Sequence, residues 1–413
     1  MRAFRSAWRV SALACALFLS FLVGGSQAGA ATGIASKTIT LGLITSLTGP
    51  AASEYTGVAP AARARVALQN AHGGVDGRKI KLIVEDDQTS PASNQTAAQA
   101  LISKGVFGVI DESAVAFGGA KVLQQAGLPV TGGGYDGPEW GQQPYTNMFS
   151  ITGPVDPHQP AYTTTSDFVK ARGGKVVAAF GYAISPSSQA AATGFMQASA
   201  YVGLEKGYLN TSLPFGSIAV GPLALGMKSA NVDSMYMPLD ANTNFAILTA
   251  AKQAGIHVKA AVSATGYGQA LLDDTSALAD ANGTYFLAPG LPVELETTAT
   301  KAFQAALAKY ASFTGVPAFD SYEGWGGADL MIKGLQLAGK NPTQTSVIDQ
   351  LHKVTAYTGN GLFYPANLTL KEFGKAPKTQ CAYMVQLRGS KFAPVPSNGK
   401  PSCGKLIPDS NQL

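Results

Sequence analysis

The sequence predicts an α/β fold with two doubly wound parallel-sheet lobes. Three observations lead to this prediction: short apolar runs, segments with helical spacing between them, and a long Gly/Pro-rich stretch that separates two such series. The chain has 413 residues, of which 46% are apolar and 13% are charged. This composition is not that of a disordered chain, and the length is sufficient for two or three domains.

Residues 1–30 have the pattern of a secretory signal peptide. Three arginines precede an apolar segment at 10–23, and small residues at 28–30 form a cleavage site. We expect the mature protein to begin near Ala31 and to lie outside the cytoplasm. Cys15 lies within the apolar segment without a convincing lipidation motif, so no lipid anchor is expected.

Strands and helices alternate in the first half of the mature chain. Strands are predicted over residues 38–45, 79–85, 107–110 and 128–131, and helices over 58–72, 93–104 and 117–126. The short connections between them predict right-handed crossovers and a parallel sheet covered on both faces. Residues 132–157 are rich in Gly and Pro, and we expect a hinge there rather than a regular element.

The alternation restarts after this stretch. Helices are predicted over residues 158–171, 188–202, 242–254, 269–279, 296–312, 325–338 and 342–354, and strands over 175–181, 216–220, 232–237, 257–263 and 284–288. The tail from Thr358 onward has a β-rich pattern. Two halves with this plan leave a cleft between them, and ligands of open α/β sheets bind beyond the carboxyl ends of the strands.

Charge and cysteine content narrow the class of protein. Residues 31–413 contain 27 basic and 25 acidic residues, a net charge of +2, without a basic stripe, so no nucleic-acid partner is expected. Cys381 and Cys403 form an even pair in an exported chain, which predicts a disulfide. No nucleophile elbow, P-loop or HExxH motif is present, and the four His are scattered, so we expect neither an enzyme nor a metal or cofactor site.

Several segments, taken in order, resemble type I periplasmic binding proteins, specifically the leucine/isoleucine/valine-binding branch of ABC-transporter solute receptors. They include ITLGLITSLTGPAASEYTG, KIKLIVEDDQTSPASNQTAAQALIS, GVFGVIDESAVAFGGAKVLQQAGLPVTGG and FDSYEGWGGADLMIKGLQLAG. The resemblance implies an N-terminal lobe (37–153 and 286–357) and a C-terminal lobe (154–285 and 358–413) joined by a three-segment hinge. It also implies a monomer that captures a small-molecule solute and delivers it to a membrane permease.

The resemblance leaves the solute open. A branched-chain or other amino acid is the first expectation, and an aromatic acid or a small amide is the alternative. Amino-acid-binding members commonly place an acidic residue in the segment that corresponds to 263–269, but SATGYGQ contains none. Asp136, Glu112 or Asp240 would have to replace it, because an ammonium group in a dry cleft needs a charge partner. A sensing receptor that reports to a membrane partner is the alternative function.

The resemblance also places candidate ligand contacts at strand ends. Tyr55 follows the first strand and is either a pocket wall or an exposed loop residue. Ser113 either binds a ligand carboxylate at a helix start or caps that helix. Gly134, Tyr135 and Asp136 follow the fourth strand. Tyr135 stacks on the ligand or fills the hinge, and Asp136 accepts an ammonium group or caps a turn.

Three further candidates lie in the second half. Tyr182 follows the strand at 175–181 and is expected on the hinge side of the cleft. Asp240 follows the strand at 232–237 and is either a ligand contact or a helix cap. Tyr267 lies in the segment without an acidic residue, where a tyrosine suits an aromatic or apolar solute.

Overall fold

Two β-sheets organise the chain in the computed structural model, which describes residues 32–133, 137–153, 155–217, 219–363, 369–375, 377–408 and 410. The predicted signal peptide lies outside these residues. The first sheet has the order β2-β1-β3-β4-β5, and all its pairs are parallel. Its strands are β1 (Thr38–Thr45), β2 (Lys79–Asp86), β3 (Val109–Glu112), β4 (Val130–Gly132) and β5 (Met148–Ser150).

Helices connect these strands and cover the sheet. They are α1 (Ala52–Tyr55), α2 (Val58–Ala71), α3 (Pro91–Ser103) and α4 (Phe117–Gln125). Ser90 caps α3 by accepting a hydrogen bond from the Ser93 amide, and Pro91 occupies the first turn, where its missing N–H is tolerated. All four residues of β3 are buried, as expected for a parallel strand covered on both faces.

The second sheet has the order β12-β11-β10-β9-β8-β6-β7, with β13 paired to β11. Strands β6 to β10 pair in parallel, whereas β11, β12 and β13 are antiparallel additions from the tail. The strands are β6 (Val176–Tyr182), β7 (Glu205–Leu213), β8 (Ser234–Met237), β9 (Ala260–Ser263), β10 (Tyr285–Ala288), β11 (Thr379–Arg388), β12 (Lys391–Val395) and β13 (Ser402–Lys405). A disulfide joins Cys381 to Cys403, which face each other across β11 and β13.

Six helices accompany the second sheet. They are α5 (Thr164–Ala171), α6 (Pro186–Tyr201), α7 (Gly221–Ser229), α8 (Ala241–Gln253), α9 (Gln269–Asp273) and α10 (Thr275–Ala281). Three later helices, α11 (Thr298–Ala311), α12 (Phe319–Ala338) and α13 (Gln344–Leu351), return to the first lobe, where α11 and α12 pack on α2 and α12 covers β3 and β4. Within the described residues, no helix has the length and hydropathy needed to cross a membrane.

The predicted fold class, two parallel-sheet α/β lobes, is confirmed. The chain passes between the sheets after β5, after β10 and after α13, so each lobe is discontinuous in sequence. Strand β10 pairs with β9 and β11 of the second sheet, so the second crossing lies after Ala288, a few residues beyond the expected boundary at 285/286.

Several local predictions were wrong. Residues 132–157 contain β5, and the helix predicted from 158 begins at Thr164. The strand expected at 216–220 is instead β7, a largely exposed edge strand without a continuous apolar run. The helix expected over 269–279 is divided at Asp274, whose extended backbone ends α9 and whose carboxylate caps α10.

Candidate functional site

A cavity of about 470 Å³ lies between the two lobes, at the carboxyl ends of their strands. Residues within three positions after the ends of β3, β5, β6, β8, β9 and β10 line it: Ala114, Ile151, Ser185, Pro238, Thr265 and Pro289. Parallel strands place their carboxyl ends on one edge, so both sheets direct these loops into the same space. The volume lies within the range of small-molecule sites.

Aromatic and aliphatic side chains form most of the cavity wall. The first lobe contributes Tyr55, Ile151, Phe319 and Phe363, and the second contributes Tyr182, Phe215, Tyr236, Leu239, Leu287 and Tyr383. The rings of Tyr182 and Phe215 stack with centroids 4.4 Å apart and an interplanar angle of 29°. Such a wall favours a solute with a substantial apolar part.

The start of α8 carries a polar network in this wall. Asp240 caps α8 by accepting from the Thr243 amide at 3.1 Å and the Thr243 hydroxyl at 2.6 Å. The Tyr182 hydroxyl also donates to the Asp240 carboxylate. Burial and the neighbouring Asp240 charge raise the pKa of Tyr182, so this phenol stays protonated and continues to donate. Asp240 therefore both caps the helix and lines the cavity.

Glu54 on α1 reaches across the cleft to the same helix start. Its Oε1 accepts a hydrogen bond from the Ala241 amide at 2.5 Å, a contact between the two lobes. Burial, followed by the charges of Asp240 and Asp320, raises the pKa of Glu54 to about 8. Asp320 itself is buried and accepts from the Gly57 amide at 2.5 Å. These acidic groups converge from α1, α8 and α12.

Of the candidates predicted from sequence, Tyr55, Tyr182 and Asp240 line this cavity. Gly134, Tyr135 and Asp136 lie outside the described residues. Whether any of these six contacts a solute stays a prediction.

Two other candidates, Ser113 and Tyr267, do not line this cavity. The Ser113 hydroxyl donates to Asp87 inside the first lobe, and its neighbour Ala114 faces the cavity. The N-cap of α4 is Ala116, so Ser113 is not the helix cap that the alternative interpretation expected. The Tyr267 hydroxyl donates to Glu294 at 2.8 Å, and its ring packs edge-on against Phe392. The expected ligand contacts of both residues stay predictions.

Sequence reasoning missed two acidic residues of the cavity, Glu54 and Glu323. Glu54 directly precedes Tyr55, so the loop that was singled out for its tyrosine contained the signal. Glu323 lies in FDSYEGWGG, which was used only for the resemblance. Of the three acidic residues considered as substitutes, Asp240 lines the cavity, and Glu112 is buried with its Oε2 accepting from the Gly133 amide at 3.0 Å.

Solved structures share this fold. A fatty acid ABC transporter substrate-binding protein from Thermomonospora curvata superposes with a TM-score of 0.73 at 17% identity, over 89% of this chain and 93% of its own. A branched-chain amino acid transporter substrate binding protein from Streptococcus pneumoniae, in complex with isoleucine, gives 0.65 at 18% identity, over 86% and 98%. A solute binding protein of an ABC transporter from R. palustris, in complex with benzoate, gives 0.69 at 15% identity, over 91% and 99%.

Sequence comparison gives the family. No curated protein sequence matches this chain. The family model described as "Periplasmic binding protein" matches residues 38–393, which is most of the chain. Proteins of this family are extracytoplasmic and bind small solutes for ABC transporters, and they are not enzymes. The chain belongs to the periplasmic binding protein family.

Proposed function

We propose that this protein is the extracytoplasmic solute receptor of an ABC importer and captures a small organic solute between its lobes by hinge closure. The observation that carries the proposal is the cavity of about 470 Å³ lined by both lobes at the carboxyl ends of their strands. A ligand that touches both walls stabilises the closed arrangement over the open one, which is the signal that a permease reads.

Export follows from the same proposal. We propose that residues 1–30 are a cleaved signal peptide and that the mature chain functions outside the cytoplasm. The disulfide between Cys381 and Cys403 supports this location, because such bonds persist in oxidising compartments. We further propose that residues 37–153 and 286–357 form one lobe and that residues 154–285 and 358–413 form the other. The pairing of β10 moves the second boundary to a position after Ala288.

A thermal-shift screen of residues 31–413 tests the proposal. The panel contains branched-chain and polar amino acids, aromatic acids, fatty acids, short amides and apolar amines. A ligand at 100 times its dissociation constant adds about 2.7 kcal/mol to the stability of the folded state, which raises Tm by a few degrees. Small-angle scattering of the same samples should show a smaller radius of gyration when the lobes close.

Two substitutions on one helix provide the matched control. Ala191 on α6 lines the cavity, whereas Ala200 on the same helix is exposed. Ala191→Phe should abolish the ligand-induced shift by filling the cavity, and Ala200→Phe should leave it intact. If a ligand shifts Tm equally in both variants, it binds outside the cleft, and the proposal for this site is wrong.

A further inference from the structure

The charged side chains that line the cleft are all acidic. Among the described residues, the cavity is lined by Glu54, Asp240 and Glu323 and by no Lys, Arg or His. A second cavity of about 320 Å³ adjoins it, sharing Thr152, Ala191 and Tyr236 with the first among other lining residues. Among the described residues that line it, Asp156 is the charged one.

The segments outside the described residues cannot supply the missing positive charge. From residue 32 onward these segments contain no Lys, Arg or His.

A solute carboxylate would enter an unfavourable field in this cleft. Glu54 and Asp240 lie on opposite lobes but meet at the start of α8, where the Ala241 amide already donates to Glu54. The raised pKa of Glu54 reports the combined effect of burial and of neighbouring negative charge. A further anion in the same apolar cavity would lose its hydration and add repulsion, whereas a cation would relieve both.

The apolar walls suit the rest of such a cation. Tyr182, Phe215 and Tyr236 lie in the same wall as Asp240, so a charged nitrogen near Asp240 would also contact aromatic faces. The cavity of about 470 Å³ has room for a larger apolar body than one branched-chain side chain.

We infer that the cleft selects apolar organic amines, that is, solutes with a protonated nitrogen, a hydrophobic body and no carboxylate. This inference rests on the proposed function and names its solute class. Glu54 and Asp240 hold the nitrogen from opposite lobes, so the cation itself draws the lobes together. The aromatic wall holds the hydrophobic body.

Matched solutes test the charge preference directly. Phenylbutylamine, phenylbutanamide and phenylbutanoate differ mainly in the charge of one end group, and octylamine, octanamide and octanoate repeat the comparison on an aliphatic chain. Isothermal titration of residues 31–413 at neutral pH should give tightest binding for the amine in each series. We expect an advantage of about tenfold or more over the amide, and the weakest binding for the carboxylate.

A conservative substitution assigns the preference to the cleft. Glu54→Gln removes a carboxyl group that can ionise beside a bound amine but keeps an oxygen that can accept from the Ala241 amide, so it should weaken amine binding about tenfold and leave amide binding unchanged. Glu372→Gln is the control, because Glu372 is an exposed acid paired with Lys375 and lines neither cavity. Its binding constants should match those of the wild-type protein.

The competing outcome, tighter binding of a carboxylate than of an amine, has a physical basis as well. Ser185 and Ser187, at the start of α6, also line the cavity, and backbone amides at a helix start can hold a carboxylate. Tighter binding of a carboxylate or of an amino acid than of the amines would overturn the inference and leave the proposed function standing. Amine binding that Glu54→Gln does not change would also overturn it. Failure of every solute in the wider panel would count against the proposed function itself.

Discussion

Two buried acidic centres of this protein are built in opposite ways. In the first lobe, Asp329 receives hydrogen bonds from Arg65 at 2.6 Å and from Tyr357 at 2.7 Å, so its charge is paired within the core. At the cleft, Glu54 and Asp240 meet at a helix start without a described basic side chain in the cavity wall. A buried charge with a partner serves the fold, whereas acidic groups in a cavity wall without described basic side chains are available to a solute.

The largest expected effect comes from breaking the paired centre. Arg65→Met should lower the free energy of unfolding by about 3–5 kcal/mol, because it leaves the Asp329 carboxylate buried without its cation. Urea denaturation measures the loss. Arg63→Met is the matched control, since Arg63 lies on the same helix but is exposed. Equal stability of the two variants would show that Asp329 does not depend on Arg65.

A smaller effect is expected at Asp87, a buried acid satisfied by neutral donors. Ser113→Ala removes a hydroxyl that donates to Asp87 and accepts from the Val115 amide, so we expect a stability loss of about 1–3 kcal/mol by denaturant titration. Ser103→Ala, at an exposed position at the end of α3, should be neutral. If Ser113→Ala also weakens solute binding, Ser113 contacts the ligand as its sequence position suggests. Unchanged stability would contradict the role in the Asp87 network.

At the cleft, the two functions of Asp240 can be separated. Asp240→Ala removes the cap of α8 and should destabilise the protein by about 1 kcal/mol, whereas Asp240→Asn retains a capping oxygen and should lose less. Thermal denaturation of both variants measures the difference. Titration with the preferred solute should detect the loss of charge in both. Equal stabilities of the two variants would show that the cap contributes little.

A pH dependence is expected from Glu54. Its pKa of about 8 in the folded protein lies above the ordinary value of 4.5, so its contribution favours folding at low pH and is lost as pH rises from about 4.5 to 8. As the pH rises over this range, the Tm of the wild-type protein should therefore fall relative to that of the Glu54→Gln variant. The lowered pKa values of Asp86 and Asp233 affect stability below this window. A Tm difference that does not change with pH would contradict the raised pKa.

The accuracy of the sequence predictions depended on how local their signals were. Strand β1 was predicted to its ends and helix α3 to within two residues, because apolar periodicity is a property of neighbouring residues. Strand β7 was misplaced, since an edge strand needs no apolar run and its identity depends on pairing with β6. Strand β5 was missed because three residues in a Gly/Pro-rich stretch carry too little periodicity.

The candidate site shows the same contrast between signals that are local in the sequence and contacts that depend on the tertiary structure. Tyr55, Tyr182 and Asp240 could be chosen from sequence because each follows a strand or opens a helix, and strand ends of α/β sheets face the ligand site. Tyr267 could not be distinguished from them by this rule, since it also follows a strand. Only its packing on Phe392 and its bond to Glu294 show that it points away from the cavity.

The sequence by itself determined the α/β lobes and the cysteine pair, because hydrophobic period and composition can be read locally. Only the tertiary structure decided that Glu54 meets Ala241, a residue 187 positions away, and that the cavity between the lobes is lined by acidic but not basic residues among those described. The physical reason is that electrostatic interactions depend on distance in space. Folding brings together charges that no local pattern connects.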